Sequence, residues 1–174
     1  EFLHQHYRGR SRPVRDYLFG YFATTARVLA IVAPIATTFQ KVDWLWRFVC
    51  RLLRLTPARP LPKFRRSSTD WETPQARPSV LVMLDPYTHH VDTQVEEAAL
   101  ALLRATGHTP QALRRPRSVA ALISRGFVEA ARDEGLAILG EIKRLDPAGS
   151  LPVVVLEPSE LEAIRHDEPV SEMD

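Results

Sequence analysis

One cysteine, Cys50, occurs in the 174 residues of this chain. That excludes an internal disulphide and any cysteine-ligated metal or iron–sulphur site made by the chain alone, and a reducing cytoplasm fits such usage best. Glycine is scarce as well. Gly107, Gly126, Gly135 and Gly140 match neither a Walker loop nor a dinucleotide fingerprint, so a phosphate cradle has no support. Long apolar runs are missing: residues 28–39 form a stretch of about a dozen residues, with Arg27 at its edge and Pro34 inside it, where roughly 20 are needed to cross a bilayer. The first residues, Glu1-Phe2-Leu3-His4, lack the basic region, apolar stretch and small-residue cleavage site of a signal peptide. The chain does not begin with methionine, as expected of a trimmed or partial chain.

With 45% apolar and 25% charged residues, the composition is that of a globular protein and not of a disordered tail. The formal net charge of +2 conceals an asymmetry. Residues 1–78 carry 14 Lys/Arg against 5 Asp/Glu, a balance of +9, whereas residues 79–174 carry 9 against 16, a balance of −7. Two structural units are expected from such a split.

The first unit, residues 1–55, reads as helices. Leu18, Phe22, Thr25, Leu29 and Val32 recur at spacings of three and four between Asp16 and Ala33, which places them on one helical stripe. Pro34 is expected to end or kink that helix. A second stripe after Asp43, a candidate N-cap, runs through Leu45, Val49, Leu52 and Leu53, with Arg47, Arg51 and Arg54 opposite and Trp44, Trp46 and Phe48 adding aromatic weight. A buried hairpin is the expectation, and the flanking arginines leave membrane-surface insertion as the alternative. Residues 56–78 contain Pro57, Pro60, Pro62, Pro74 and Pro78 and read as a linker. Within it, Lys63-Phe64-Arg65-Arg66 is a short basic run with no nucleic-acid fold around it, so a solvated linker is expected and not a nucleic-acid site.

Residues 79–174 change character. Ser79–Leu84 is an uninterrupted apolar run, as in a strand covered on both faces, and it stops at Asp85-Pro86. Thr93-Gln94-Val95-Glu96 has the form of a capping box, followed by Val95, Ala98, Ala99, Leu102 and Leu103 at helical spacing and a stop at Gly107. A weaker strand is expected over 109–113, and a long helix over 124–145 with Phe127, Ala131, Ile138, Ile142 and Leu145 inward. A buried strand over 152–156 follows, then a second capping box from Ser159 to Glu162. The fold class expected is α/β: an N-terminal helical segment followed by a small three-layer domain with a parallel sheet in the order β-α-β-α-β-α.

In such sheets ligands gather beyond the carboxyl ends of the strands. The candidate crevice is therefore lined by Asp85, Tyr87, Thr88, His89 and His90 after the first strand and by Glu157 and Ser159 after the last. His89, His90 and Asp92 have the donor types of a metal site but lack a third ligand at a known spacing, and loop-surface histidines are the expected state. Ser159 lacks the flanking glycines of a nucleophile elbow and reads as an N-cap. Cys50, set among Phe48, Val49 and Leu52, reads as a core thiol. Glu96-Glu97 and Glu160/Glu162 fall in first helical turns, where a carboxylate complements the helix dipole. No catalytic, cofactor or metal residue is assigned.

Three segments carry a family resemblance: Glu1–Tyr7 with Arg12-Pro13-Val14-Arg15-Asp16-Tyr17-Leu18-Phe19-Gly20; Asp85-Pro86-Tyr87-Thr88; and Leu122-Ile123-Ser124-Arg125-Gly126-Phe127 with Leu156-Glu157-Pro158-Ser159. Together they resemble the C-terminal part of the large FAD-linked, iron–sulphur D-2-hydroxy-acid dehydrogenases, the D-lactate and D-2-hydroxyglutarate type. In that family a flavin domain precedes a ferredoxin-like helical domain with 4Fe-4S clusters and then a cysteine-rich domain with Cys-Cys-Gly motifs. The resemblance implies that residues 1–55 end the helical domain and that residues 79–174 are half of the Cys-Cys-Gly domain with its cysteines lost. Where relatives place Cys-Cys-Gly this chain has about Arg117-Ser118-Val119, and where they place cysteine after Glu-Pro-Ser it has Glu160. No cluster ligand carries over, in keeping with the need of such clusters for thiolates.

FAD and 4Fe-4S are thus implied for a parent flavoprotein and no cofactor for this chain. Its expected role is a non-catalytic structural and interface module, with the parent's remaining domains as partners and a homo-oligomer as a further option. The location implied is cytoplasmic, with peripheral attachment to the inner membrane as a variant. The alternative functions are a stand-alone small-acid-binding protein and a membrane-peripheral adaptor. The stripes of residues 1–55 are expected to leave an apolar patch above the ~300–600 Å² usual for a soluble monomer, covered in the parent by upstream helices.

Overall fold

The computed structural model describes residues 2–40, 42–58, 62–65, 67, 75, 77–113 and 116–167, with the side chains of 33–40 and 166–167 excepted. The α/β architecture is as expected. Strand β1 (Val80–Met83) lies between β2 (Pro110–Ala112) and β3 (Val153–Val155), and both pairings are parallel, with Val82 opposite Ala112 on one side and Val154 on the other. All four residues of β1 are buried, whereas β3 is half-exposed at the edge and not the buried strand expected.

Side chains alternate across a strand, and the two faces of β1 meet two different cores. Val82 and Leu84 pack with Ala112 and with Leu100 of α6 (Thr93–Ala105). Met83 packs with Leu113, with Val119 and Leu122 of α7 (Val119–Ser124), and with Ala131 and Ile138 of α8 (Val128–Leu145). Helices on both faces of the sheet make the three layers. The helix expected to start at Ser124 begins instead after Gly126, whose positive φ of 72° lets the chain turn between α7 and α8.

The face of α6 is rotated from the expected one. Val95 and Leu102 are exposed, and Thr93, Glu96 and Leu100 are buried. The cause is Glu96, which is fully buried because its carboxylate accepts from Ser67 Oγ at 2.6 Å and meets His89 Nδ1 at 2.8 Å. It therefore does not close a capping box, and Asp92 holds the N-cap position of α6 without a side-chain bond.

The N-terminal residues form α1 (Phe2–His6), α2 (Val14–Gly20), α3 (Phe22–Gln40) and α4 (Asp43–Leu53). The helix break falls at Tyr21, and α3 continues through Pro34, which therefore does not end the helix. The stripe Leu18, Phe22, Thr25, Leu29 and Val32 is half-buried around the fully buried Ala26. On α4, Val42 and not Asp43 precedes the helix as N-cap, and the inward face is Leu45, Trp46, Val49, Cys50 and Leu53. Leu52, expected inward, is exposed together with Trp44 and Phe48.

The helical segment packs directly on the α/β domain. Arg12 donates to the carbonyls of Arg125 at 2.5 Å and Gly126 at 2.8 Å while its guanidinium lies over the rings of Tyr7 and Phe127. Phe127 also meets Tyr17 and Tyr21 edge-on or tilted, and Asp16 faces Arg125 at 3.9 Å. Glycine is required at two points of this seam. A Cβ on Gly20 would sit 2.6 Å from the Phe127 ring, and one on Gly126 would sit 2.7 Å from the His4 amide nitrogen. The described part of the linker is tied down too, since Arg65 N–H donates to His90 O at 2.7 Å and Gln75 N–H to Gln111 Oε1 at 2.7 Å. Pro60, Pro74 and Arg66 of the expected linker lie outside the described residues.

Candidate functional site

Because β1 connects to β2 on one side and β2 connects past it to β3, the strand order reverses between β1 and β3. Chain segments leave those two strands in opposite directions there, which opens the crevice such sheets use for ligands. Each candidate residue lies on one of these two exits.

After β1, Asp85 caps a short helix, α5 (Pro86–His90), that replaces the expected loop. The pairing of an aspartate with a proline at the next position is a helix-start signal. One Asp85 carboxylate oxygen accepts from the N–H groups of Tyr87 and Thr88, each at 2.9 Å, and the other accepts from the Thr88 hydroxyl. Asp85 and Thr88 are buried and committed to one another, and Tyr87 is exposed. His89 and His90 are not loop-surface histidines. The His89 ring turns to Glu96, the His90 ring packs edge-on to the His89 ring at 4.7 Å, and His90 is buried with Nδ1 lacking a hydrogen-bond partner among the described residues. Burial first, and the neighbouring His89 second, hold the His90 imidazole below its ordinary range.

After β3, Glu157 and not Ser159 is the N-cap, of α9 (Pro158–Glu162). The Ser159 hydroxyl donates to Glu157 at 2.9 Å. The residue between the expected site positions and the core, Glu160, is the one that acts at a distance. It is 3% exposed. Its carboxylate crosses to the start of α7, accepting from the Ser118 hydroxyl and from the N–H groups of Val119 at 2.8 Å and Ala120 at 3.2 Å. Ser118 in turn caps α7 by accepting from Ala121 N–H at 3.1 Å. Burial pushes the Glu160 carboxyl up, against the pull of its three hydrogen bonds, and the nearby charge of Asp85 adds to the rise. In the sequence Glu160 reads as a carboxylate in a first helical turn, which points to its own helix and not to α7, and only the resemblance sets it beside positions 117–119.

Asp85, Ser118 and Glu160 therefore converge at the switch point, with their oxygens turned inward to backbone and hydroxyl donors. Beside them Arg117 pairs with Glu141 at 3.2 Å and Glu134 at 3.4 Å. No family model, curated protein or solved structure matches this chain. Among the described residues no helix is long and apolar enough to cross a membrane.

The 4Fe-4S cluster implied by the resemblance does not fit this knot. Cluster iron takes thiolates; positions 117–119 and 160 offer a guanidinium paired with Glu141 and Glu134, and a hydroxyl and a carboxylate bonded to each other. The one thiol, Cys50, is buried on α4, and burial pushes it up, away from the thiolate form. Outside the knot, a cleft of about 540 Å³ lies between the linker and the start of α6, lined by Pro62, Lys63, Arg65, Tyr87, Val91, Asp92, Thr93 and Gln94. Of the expected crevice residues it includes Tyr87.

Proposed function

We propose that this chain is a non-catalytic structural and interface module of an FAD- and iron–sulphur-containing oxidoreductase that oxidises a D-2-hydroxy acid of the D-lactate or D-2-hydroxyglutarate class. One observation carries the reading. Positions 117–119 and 160, named by the resemblance as the places of two lost cysteine motifs, lie 41 to 43 positions apart in sequence and meet through the Ser118 and Val119 bonds to Glu160. Those are the positions that a shared metal group would need in contact. Here a carboxylate bonded to a serine and a helix start holds the same two elements together, so the position keeps its architectural task without metal chemistry. The seam supports the same reading, because Arg12, Asp16, Tyr17, Gly20, Arg125, Gly126 and Phe127 all belong to the resembling segments and touch one another across it.

Co-expression with the flavin- and cluster-bearing polypeptide from the same source tests this. The two should co-purify, and the complex should oxidise D-lactate or D-2-hydroxyglutarate with an artificial acceptor. Failure to associate, or turnover by the chain free of flavin, overturns the proposal. The second reading, a small-acid-binding protein, is favoured by the two cationic residues of the linker cleft, Lys63 and Arg65. Saturable calorimetric binding of D-lactate, lost in the doubly substituted Lys63→Ala, Arg65→Ala protein, is its signature.

A further inference from the structure

The outward side of α4 is unlike the rest of the surface. Trp44 (71% exposed), Phe48 (60%) and Leu52 (71%) stand at i, i+4 and i+8 and so form one ridge about 12 Å long. Arg47 and Arg51 follow Trp44 and Phe48 by three residues and therefore flank the ridge as a parallel row. The row ends at Arg54, which caps the helix in a left-handed conformation at φ 54°. All three arginines are exposed, and Asp43, 3.9 Å from Arg47 and itself largely exposed, is the sole acidic residue on the helix. The opposite side of α4, from Trp46 to Cys50 and Leu53, is turned into the protein.

We infer that α4 is a docking helix for an anionic lipid surface. A helix lying in the membrane interface needs aromatic and aliphatic side chains that enter the acyl boundary beside cations that stay at phosphate level. Trp44, Phe48 and Leu52 supply the first and Arg47, Arg51 and Arg54 the second. Charge selects the occupant. A protein partner would have to place carboxylates opposite each arginine as it buried the ridge, because an unpaired buried charge is costly. A leaflet of acidic lipids presents phosphates along the whole row. The +9 formal balance of residues 1–78, the stretch of sequence that contains α4, favours the same kind of surface. The ridge is also narrow and convex, a shape that lipid accommodates without a preformed groove. This inference does not depend on the parent enzyme.

Vesicle sedimentation and tryptophan fluorescence on the full chain, with the Trp44→Gln protein as the reference that isolates the Trp44 signal from those of Trp46 and Trp71, test it. Binding to vesicles with one-third phosphatidylglycerol in phosphatidylcholine should exceed binding to pure phosphatidylcholine by roughly tenfold or more, fall with added salt, and shift the tryptophan emission to the blue. The triple exchange Trp44→Gln, Phe48→Gln, Leu52→Gln should cut binding by at least tenfold with an unchanged far-ultraviolet dichroism spectrum, as these side chains are exposed. Arg47→Gln with Arg51→Gln should abolish the preference for acidic lipid while the fold is retained. Equal binding to neutral and acidic vesicles, no binding to either, or full binding by the triple variant overturns the inference. So does a dimer in lipid-free solution that dissociates in the triple variant, which assigns the ridge to a second copy. Capture of the flavin-bearing polypeptide that needs the ridge overturns it as well, and leaves the proposed function standing.

Discussion

Glu160 joins two helices with one side chain, and its two kinds of substitution should separate. Glu160→Ala leaves the N–H groups of Val119 and Ala120 and the Ser118 hydroxyl without their acceptor, at a cost of about 2–4 kcal/mol in urea denaturation. Glu160→Gln keeps an acceptor oxygen and should cost less. Because the folded carboxyl is raised, the native state holds its proton at a pH where the unfolded chain has lost it, so this group's contribution falls as pH rises from the ordinary carboxylate range toward the folded value. The drop should be absent in Glu160→Gln. His90 has the opposite sense. Its lowered folded pKa means that the unfolded state takes up the proton first, and stability should fall as pH drops below about 6.5. Denaturation midpoints at pH 7.5 and 5.5 check this, and His90→Gln should reduce the difference; an unchanged slope in that variant would place the titration elsewhere. Neither effect was legible beforehand. A buried glutamate at the third position of a short helix reads like any solvated one, since the sequence does not say which distant N–H groups it will face.

At the level of elements, the legible parts were those that local physics decides alone. The apolar run of β1, the extent of α6 up to Gly107 and the inward residues Ala131 and Ile138 of α8 follow from hydrophobic period and glycine stops. The structure departs from the sequence pattern where a tertiary partner prevails over a local rule, and where a neighbouring residue offers a competing cap. Glu96 turned to His89 and Ser67 and rotated α6, and Glu157 displaced Ser159 as the cap of α9. The Asp85-Pro86 pair both ends β1 and starts α5, with Asp85 as the cap and Pro86 as the first helical residue. The seam between the helical segment and the sheet domain should hinge on Arg12. In Arg12→Met two bonds to carbonyl oxygens and two ring contacts are lost, and amide exchange in α2 and α7 should quicken roughly thirtyfold, equivalent to about 2 kcal/mol. If exchange quickens equally in β1, the two segments unfold as one. Gly126→Ala should be harsher, about 3 kcal/mol, because it combines a left-handed backbone with contact against His4 and Leu3.

For the molecule as a whole, eleven of the eighteen large hydrophobic residues exposed among the described residues lie within 1–55, from Phe2 to Leu52, and of the stripes Leu18–Phe22–Leu29 and Leu45–Val49–Leu52 expected to carry that exposure only Leu52 is among them. The full chain should therefore bind a hydrophobic dye, and a variant with Trp44, Phe48 and Leu52 replaced by glutamine should bind less. The purified chain should be colourless after desalting; a retained flavin or iron–sulphur absorption band would contradict the assignment of the cofactors to other domains. The sheet has a consequence of its own. Among the described residues it ends at β3, whose Val153-Val154-Val155 run is β-branched, uncharged and half-exposed. An open, uncharged strand margin is a template on which further backbone can crystallise one strand at a time, and Pro152, just before it, shortens that template without closing it. Growth of the sheet by a fourth strand, whether from a neighbouring domain or from a misfolded twin, would start along that margin.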